Sequence, residues 1–221
     1  MKVLELFSGT GSVGKCCKQL GWEVVSVDMI FNATHKCDIM EFDYKQYPQD
    51  TFDIVWASPP CTNYSKLQDS WLGRIRKGQI YTKEIQEEEM KQDDKLVLKT
   101  LEIIDYFNPH YWFIENPAAS KMKDRIFMKD LNFYLVDYCM YSDWGYRKRT
   151  RIWTNRKDFK PLICDGKGTC GNMVNKLHKT NLGNADRFKR ANQLNLNKYN
   201  GTTQQDRYRI PEDLIYSLFL E

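Results

Sequence analysis

Two consecutive prolines, Pro59-Pro60, end the apolar run Phe52-Asp53-Ile54-Val55-Trp56-Ala57, and that junction restricts the fold more than any other feature. The run reads as a buried strand. Proline donates no ladder hydrogen bond, so the backbone must leave the sheet at Ser58-Pro59-Pro60-Cys61. Cys61 then sits on a stiff loop at the carboxyl end of a strand, where open α/β sheets bind ligands. A stiff loop suits a nucleophile, which needs a fixed line of attack. The same thiol also reads as a small buried hydrophobe, the usual fate of a lone cysteine. The rest of the chain must decide.

Strand-like and helix-like segments alternate on either side of this junction. Val3 to Phe7 reads as a strand, Ser8 to Gly14 as a glycine-rich turn, and Val13 to Leu20 as a helix ended by Gly21. Glu23 to Val27 is a second strand, Cys37-Asp38-Ile39 ends a third, and Phe52 to Ala57 is a fourth. A charge-dense segment from Thr62 turns helical in its second half and runs through Phe107, with Val97, Leu101 and Ile104 as an apolar stripe. Asn108-Pro109 stops it. Tyr111 to Ile114 is a fifth strand, and Phe133 to Met140 and Arg149 to Thr154 read as a final pair. The pattern predicts a doubly wound, mainly parallel sheet with an antiparallel edge. No periodicity is evident from Asn155 to Asp206. Pro211 opens a last helix with Leu214, Ile215, Leu218 and Phe219 on one face. The expected division is a catalytic domain over 1–154, a small lobe over 155–206, and a C-terminal helix within 207–221 that packs back on the body.

At 221 residues the chain can bury one substantial core. No apolar stretch approaches the roughly 20 residues that span a bilayer, and Met1 to Phe7 reads as a strand rather than a signal peptide. The 7 cysteines follow no framework spacing, which fits reduced thiols inside a cell. Net charge is +4, yet Asn155 to Arg209 holds 12 Lys or Arg against 4 Asp, a balance of +8 that leaves −4 elsewhere. A basic segment on an acidic body suits a polyanion such as nucleic acid. A solvated, loop-rich surface is the alternative, and nine Asn in the same stretch support it.

Gly9-Thr10-Gly11-Ser12-Val13-Gly14 matches the G-x-G-x-x-G pattern, with Asp28 positioned to meet ribose hydroxyls. Nicotinamide cofactors and S-adenosylmethionine both use such a loop. Asp38 can reach an adenine amino group or cap a strand end. Glu115 ends a strand one crossover after Cys61, so both face one crevice. Arg147, Arg149 and Arg151 recur with period 2 and share a strand face. Three guanidiniums there need anions or acceptors to answer them, such as a phosphate and a base carbonyl. Cys164-x5-Cys170-x7-His178 offers three zinc ligands at a non-standard spacing, with Cys139 a candidate fourth. No metal ligand is assigned from this pattern. His35 and His110 read as structural or surface residues.

Taken in order, these segments resemble the DNA cytosine methyltransferases that act at carbon 5. The matching pieces are Glu5-Leu6-Phe7-Ser8-Gly9-Thr10-Gly11, Asp28, Cys37-Asp38-Ile39, Ser58-Pro59-Pro60-Cys61, Glu115-Asn116-Pro117 and Arg147-Lys148-Arg149-Thr150-Arg151. Amino-directed methyltransferases carry an aromatic where Cys61 stands, so cysteine there points to methylation at carbon. The likeness is greatest to the short members from phages and large DNA viruses.

The resemblance implies a Rossmann-like, class I S-adenosylmethionine-dependent fold. It implies S-adenosylmethionine held by Phe7, Ser8, Gly9, Thr10, Gly11, Asp28, Met29, Asp38, Ile39, Ser58 and Pro60. Cys61 would attack carbon 6 of a flipped cytosine, Glu115 would hold nitrogen 3 and the exocyclic amine, Arg151 the base carbonyl, and Arg149 a phosphate. DNA is the implied partner. A branch of the family acts on transfer RNA, so RNA stays open, as does a non-catalytic binding role. An intracellular site follows, in host cytoplasm or nucleus for a viral member, with no membrane. Pro117 stands where the family usually has Val, and Arg147 where it has Gln. The segment after Thr154 is short for a recognition domain. The late Asn-containing motif beside the cofactor is not recognisable before Ile210-Pro211, which leaves that wall of the pocket without an assignment.

Overall fold

The computed structural model describes residues 1–184 and 200–220. Its centre is a six-stranded sheet in the spatial order Glu23–Val27 (β2), Lys2–Leu6 (β1), Ile54–Ala57 (β3), Tyr111–Pro117 (β6), Arg149–Thr154 (β8) and Phe133–Asp137 (β7). In chain order the strands are β1 (Lys2–Leu6), β2 (Glu23–Val27), β3 (Ile54–Ala57), a small hairpin of β4 (Ile75–Arg76) and β5 (Gln79–Ile80), then β6 (Tyr111–Pro117), β7 (Phe133–Asp137) and β8 (Arg149–Thr154). The first four sheet strands are parallel, and β8 and β7 close the edge antiparallel. The Rossmann-like expectation holds. From β1 the chain goes first to β2 on one side and then to β3 on the other. The carboxyl ends of β1 and β3 therefore flank the topological switch point, where such sheets open a crevice.

Period-2 alternation sends each strand's side chains to two cores. Leu4, Leu6, Val55, Ala57 and Ile114 join one apolar cluster, while Val3, Ile54, Trp56 and Phe113 join the other. Helix α2 (Lys83–Phe107) covers the first through Val97, Ile103, Ile104 and Phe107. Its start is fixed by Thr82, whose side chain accepts from the Ile85 amide, and its end by Asn108 in the left-handed region. Helix α1 (Ser12–Gln19) covers the second face, and its Cys16 and Cys17 are buried apolar filling.

The C-terminal stretch returns to this second face. A short helix α3 (Gln204–Tyr208) carries a capping box from Thr203 and Asp206. It leads to α4 (Glu212–Leu220), whose Leu214, Ile215, Leu218 and Phe219 sit in the second cluster. Trp22 stacks on Phe219, and the Tyr216 hydroxyl donates to Gln19.

Two expectations change. Cys37-Asp38-Ile39 ends no strand: the segment is a turn, tied to the sheet by a lone bridge between Val27 and His35. Asp38 explains this, because its carboxylate accepts the Met40 amide and curls the chain locally. The strand expected through Met140 stops at Asp137 and becomes a 3₁₀ turn over Tyr138–Met140. The lobe expected over 155–206 contains short strand pairs, β9 (Met173–Val174) with β10 (Leu177–His178) and β11 (Thr180–Asn184) with β12 (Asn200–Thr202). Its residues 185–199 lie outside the described residues. Among the described residues, no helix is long and apolar enough to cross a membrane.

Candidate active site

A cavity of about 880 Å³ opens at the switch point and gathers most of the residues singled out from sequence. The loop after β1 forms one wall. Phe7 adopts φ 55° and Gly9 φ 50°, so the chain doubles back immediately after the strand. The Gly9 amide donates to the Asp28 carboxylate at 2.8 Å, and the other oxygen of Asp28 accepts the Ile30 and Phe31 amides, each at 2.8 Å. Asp28 thus clamps the loop after β1 to the loop after β2. Phe7, Ser8, Gly9, Asp28, Met29, Asp38 and Ile39 all line the cavity. Thr10 and Gly11 are not among the lining residues: Gly11, at φ 68°, starts α1, and the Thr10 hydroxyl meets that of Ser12 at 3.0 Å.

The loop after β3 forms the facing wall, with Ser58, Pro60 and Cys61 on the cavity. It is braced on both sides of the thiol. Asn116 donates to the Pro59 carbonyl at 2.9 Å, and the Tyr64 hydroxyl donates to Asp94 on α2 at 2.7 Å. The parallel register sets Ala57 beside Ile114, so the chain past β3 and Glu115 in β6 reach the same rim. Burial first, and then the Glu115 charge, push the Cys61 thiol above its usual range, while Lys148 opposes them. At neutral pH the resting group is therefore the thiol.

Glu115 is buried, and its Oε1 accepts from the Tyr138 hydroxyl at 3.1 Å and the Lys148 ammonium at 3.2 Å. Among the described residues its Oε2 carries no hydrogen bond. Lys148 also donates to the Arg207 carbonyl at 3.0 Å and lies over the Tyr138 ring. Sequence reading missed Lys148 as a site residue. Its signal was available, since it stands between Arg147 and Arg149 just before β8.

The arginines divide. Arg149 makes a two-point contact with Asp137 at 3.0 and 2.7 Å, and Arg147 joins the same carboxylate at 3.0 Å. One protein carboxylate answers two of the three cations. Asp137 is fully buried, and its two arginines and the Cys164 amide hold its carboxyl below the usual range despite burial. Arg149 still lines the cavity and is partly exposed. Arg151 lines it too, stacks on Phe133 at 3.8 Å, and has a buried Nε without a partner. Among the described residues it is the one of these three arginines without a carboxylate ion pair.

Two other features were not anticipated. Glu5 is buried beneath the glycine loop, accepts the Gly14 amide at 3.0 Å, and has its pKa pushed up to about 7 by burial. A Cβ on Gly14 would stand 2.7 Å from the Glu5 carboxylate, so glycine there serves close approach. The wall for which no late motif was recognisable is built from the C-terminal segment. Arg207, Tyr208 and Ile210 line the cavity, and the Ile210 amide donates to Ser12 at the start of α1.

A mostly parallel α/β sheet, with a glycine loop after β1 and with Cys61 and Glu115 lining one cavity beyond the adjacent strands β3 and β6, is the arrangement that the methyltransferase resemblance implies. The family model described as C-5 cytosine-specific DNA methylase matches residues 1–208, and the chain belongs to that family. It is 40% identical over 220 residues to the "Probable DNA (cytosine-5)-methyltransferase" of Frog virus 3 (isolate Goorha), covering 99% of this chain and 98% of that one. Among solved structures it is similar to one titled as a "putative DNA modification methyltransferase encoded within prophage", from E. coli, at 12% identity and a TM-score of 0.48. That match covers 79% of this chain and 56% of the other.

Proposed function

We propose that the chain transfers a methyl group from S-adenosylmethionine to carbon 5 of a flipped-out cytosine in DNA, through a covalent adduct at Cys61. The observation that carries this reading is the meeting of Cys61, Glu115 and Arg151 in one cavity with the glycine loop and Asp28. Substrate and methyl donor need such a shared space, because the transferred group moves directly between them.

The residues present suit the donor. Ser8 Oγ is buried on the cavity wall without a hydrogen-bond partner, and a bound polar group would satisfy it. Asp28 spends one lone pair per backbone contact and keeps acceptor capacity for ribose hydroxyls. S-adenosylmethionine supplies an electrophilic methyl, and its positive charge near Cys61 would draw the raised thiol toward the thiolate.

The chain's own groups then have defined tasks. The Cys61 thiolate adds to carbon 6, and the displaced electron pair enriches carbon 5. Glu115, held through Oε1 by Tyr138 and Lys148, turns Oε2 to the exocyclic amine and the nitrogen 3 edge of the base, which lowers the cost of negative charge building in the ring. The free Nε of Arg151 suits the base carbonyl oxygen. After methyl transfer, loss of the carbon 5 proton to a base and expulsion of Cys61 restore the ring. Arg149 is bound to Asp137, which steadies the rim and holds its partly exposed guanidinium at the cavity.

The test pairs binding with turnover. Calorimetry should show S-adenosylmethionine binding to the wild type and to Cys61→Ser with similar affinity, and only the wild type should label DNA. Binding of NAD alone, or full labelling by Cys61→Ser, would contradict the reading.

A further inference from the structure

Past Phe159, which packs in the second apolar cluster, the segment that follows β8 lacks a hydrophobic core. Between residues 160 and 184, Cys164 is the one buried apolar side chain among the described residues, while Leu162, Ile163, Val174 and Leu177 are exposed. So small a unit needs another source of order, commonly a disulfide or a metal. All its cysteines are free thiols.

Three of the chain's thiols and one imidazole nonetheless converge there. Cys139 follows β7, Cys164 and Cys170 flank a glycine-rich loop, and His178 lies in β10. Their ligand atoms all lie within 4.8 Å of one another. Cys164 Sγ and Cys170 Sγ stand 3.7 and 3.6 Å from His178 Nε2. A tetrahedral zinc with Zn–S of about 2.3 Å and Zn–N of about 2.0–2.1 Å spaces its ligand atoms roughly 3.5–3.8 Å apart. The two measured separations already match, and the widest closes with a movement of about 1 Å.

The surroundings are built to hold ligands still. The Gly166 amide donates to Cys164 Sγ at 3.4 Å, a contact that favours thiolate. Asn172 is buried, and its side-chain amide donates to the carbonyls of Cys139, Ser142 and Cys170 while its oxygen accepts the Gly145 amide. One side chain therefore ties two ligand-bearing segments together. Asp137 accepts the Cys164 amide at 2.9 Å on the same oxygen that receives Arg149.

We propose that Cys139, Cys164, Cys170 and His178 bind one structural zinc ion, which staples the segment after β8 to the end of β7 and, through Asp137, to the cavity rim. Three soft thiolates and an imidazole in a closed tetrahedron select zinc over hard cations. The four protein ligands leave no open position, so the ion organises and takes no part in the methyl transfer.

Metal analysis of the full chain, purified without chelator, tests this directly. We expect about one equivalent of zinc per chain, falling below about a tenth in Cys170→Ser and in His178→Ala, with Cys37→Ser unchanged. Chain produced in cobalt-supplemented medium should show the thiolate charge-transfer and visible bands of tetrahedral Co²⁺. This readout uses the wild type and does not depend on a variant folding. Wild type that is metal-free and lacks those bands overturns the proposal, as does full zinc retention by Cys170→Ser and His178→Ala.

Discussion

The sheet body and the segment after β8 are held together by opposite means. In the body, two apolar clusters fill the space on either face of the sheet, and residues such as Trp56, Phe107 and Phe113 are almost wholly buried. In the segment, apolar side chains face outward and the interior consists of thiols, an imidazole and Asn172. Nonpolar packing resists truncation according to volume lost, whereas a polar cluster resists according to which partner is left unsatisfied. The body can therefore carry a precisely placed thiol, and the segment beside it can vary in sequence while keeping its few fixing residues.

The contrast is broken most forcefully by cutting large side chains on each side. Phe107→Ala should cost about 3–5 kcal/mol in urea unfolding, because it empties the packed face beneath α2. Leu177→Ala, on an exposed position, should stay within about 0.5 kcal/mol. Equal losses would mean that the segment has a core after all.

Glu5 sharpens the comparison from inside the body, where its carboxyl lies buried beneath the glycine loop. Its carboxyl titrates near 7 in the fold, against 4.5 when free. Between those values the folded state binds more protons than the unfolded, so stability falls as pH rises across that window. Glu5→Gln should leave stability at pH 4 unchanged and raise it by about 3 kcal/mol at pH 8 in the cofactor-free chain. A flat difference from pH 4 to 8 would contradict the burial argument.

Asp137 joins the two regions, and its removal should have a smaller effect. Asp137→Asn withdraws the charge that holds Arg147, Arg149 and the Cys164 amide, for a loss of about 2 kcal/mol at neutral pH. Its depressed pKa gives a stabilisation that is present above the usual carboxylate range and lost as pH falls through the folded value. The variant and wild type should thus converge in acid. Persistence of the whole gap there would show a steric rather than a charge effect.

Legibility in the sequence divides along the same line. The strands flanking Cys61, the glycine turn and α4 could be read because periodicity and turn residues reflect a packed core directly. Cys37 to Ile39 misled because Asp38, seen as a strand end, makes its own turn. The arginine spacing gave the right strand face for Arg149 and Arg151, but its partner, Asp137, ends a neighbouring strand and carries no local signal. The segment after β8 was illegible for a physical reason: little of it packs by hydrophobic pattern. Its thiols and histidine were visible, but their convergence depends on a fold that brings Cys139 from 25 residues before Cys164. Of the cavity residues expected from the resemblance, Thr10 and Gly11 alone are absent from the lining.

The covalent role of Cys61 is the centre of the account, and trapping tests it most directly. Cytosine carrying fluorine at carbon 5 has no proton there to lose, so an adduct formed by Cys61 cannot be released after methyl transfer. Incubation of wild-type chain with S-adenosylmethionine and DNA containing fluorinated cytosine should give a denaturation-resistant complex, with the peptide bearing Cys61 as the linked site by mass spectrometry. Cys61→Ser should give none. An adduct of equal yield in Cys61→Ser, or one mapped to another residue, would contradict the account.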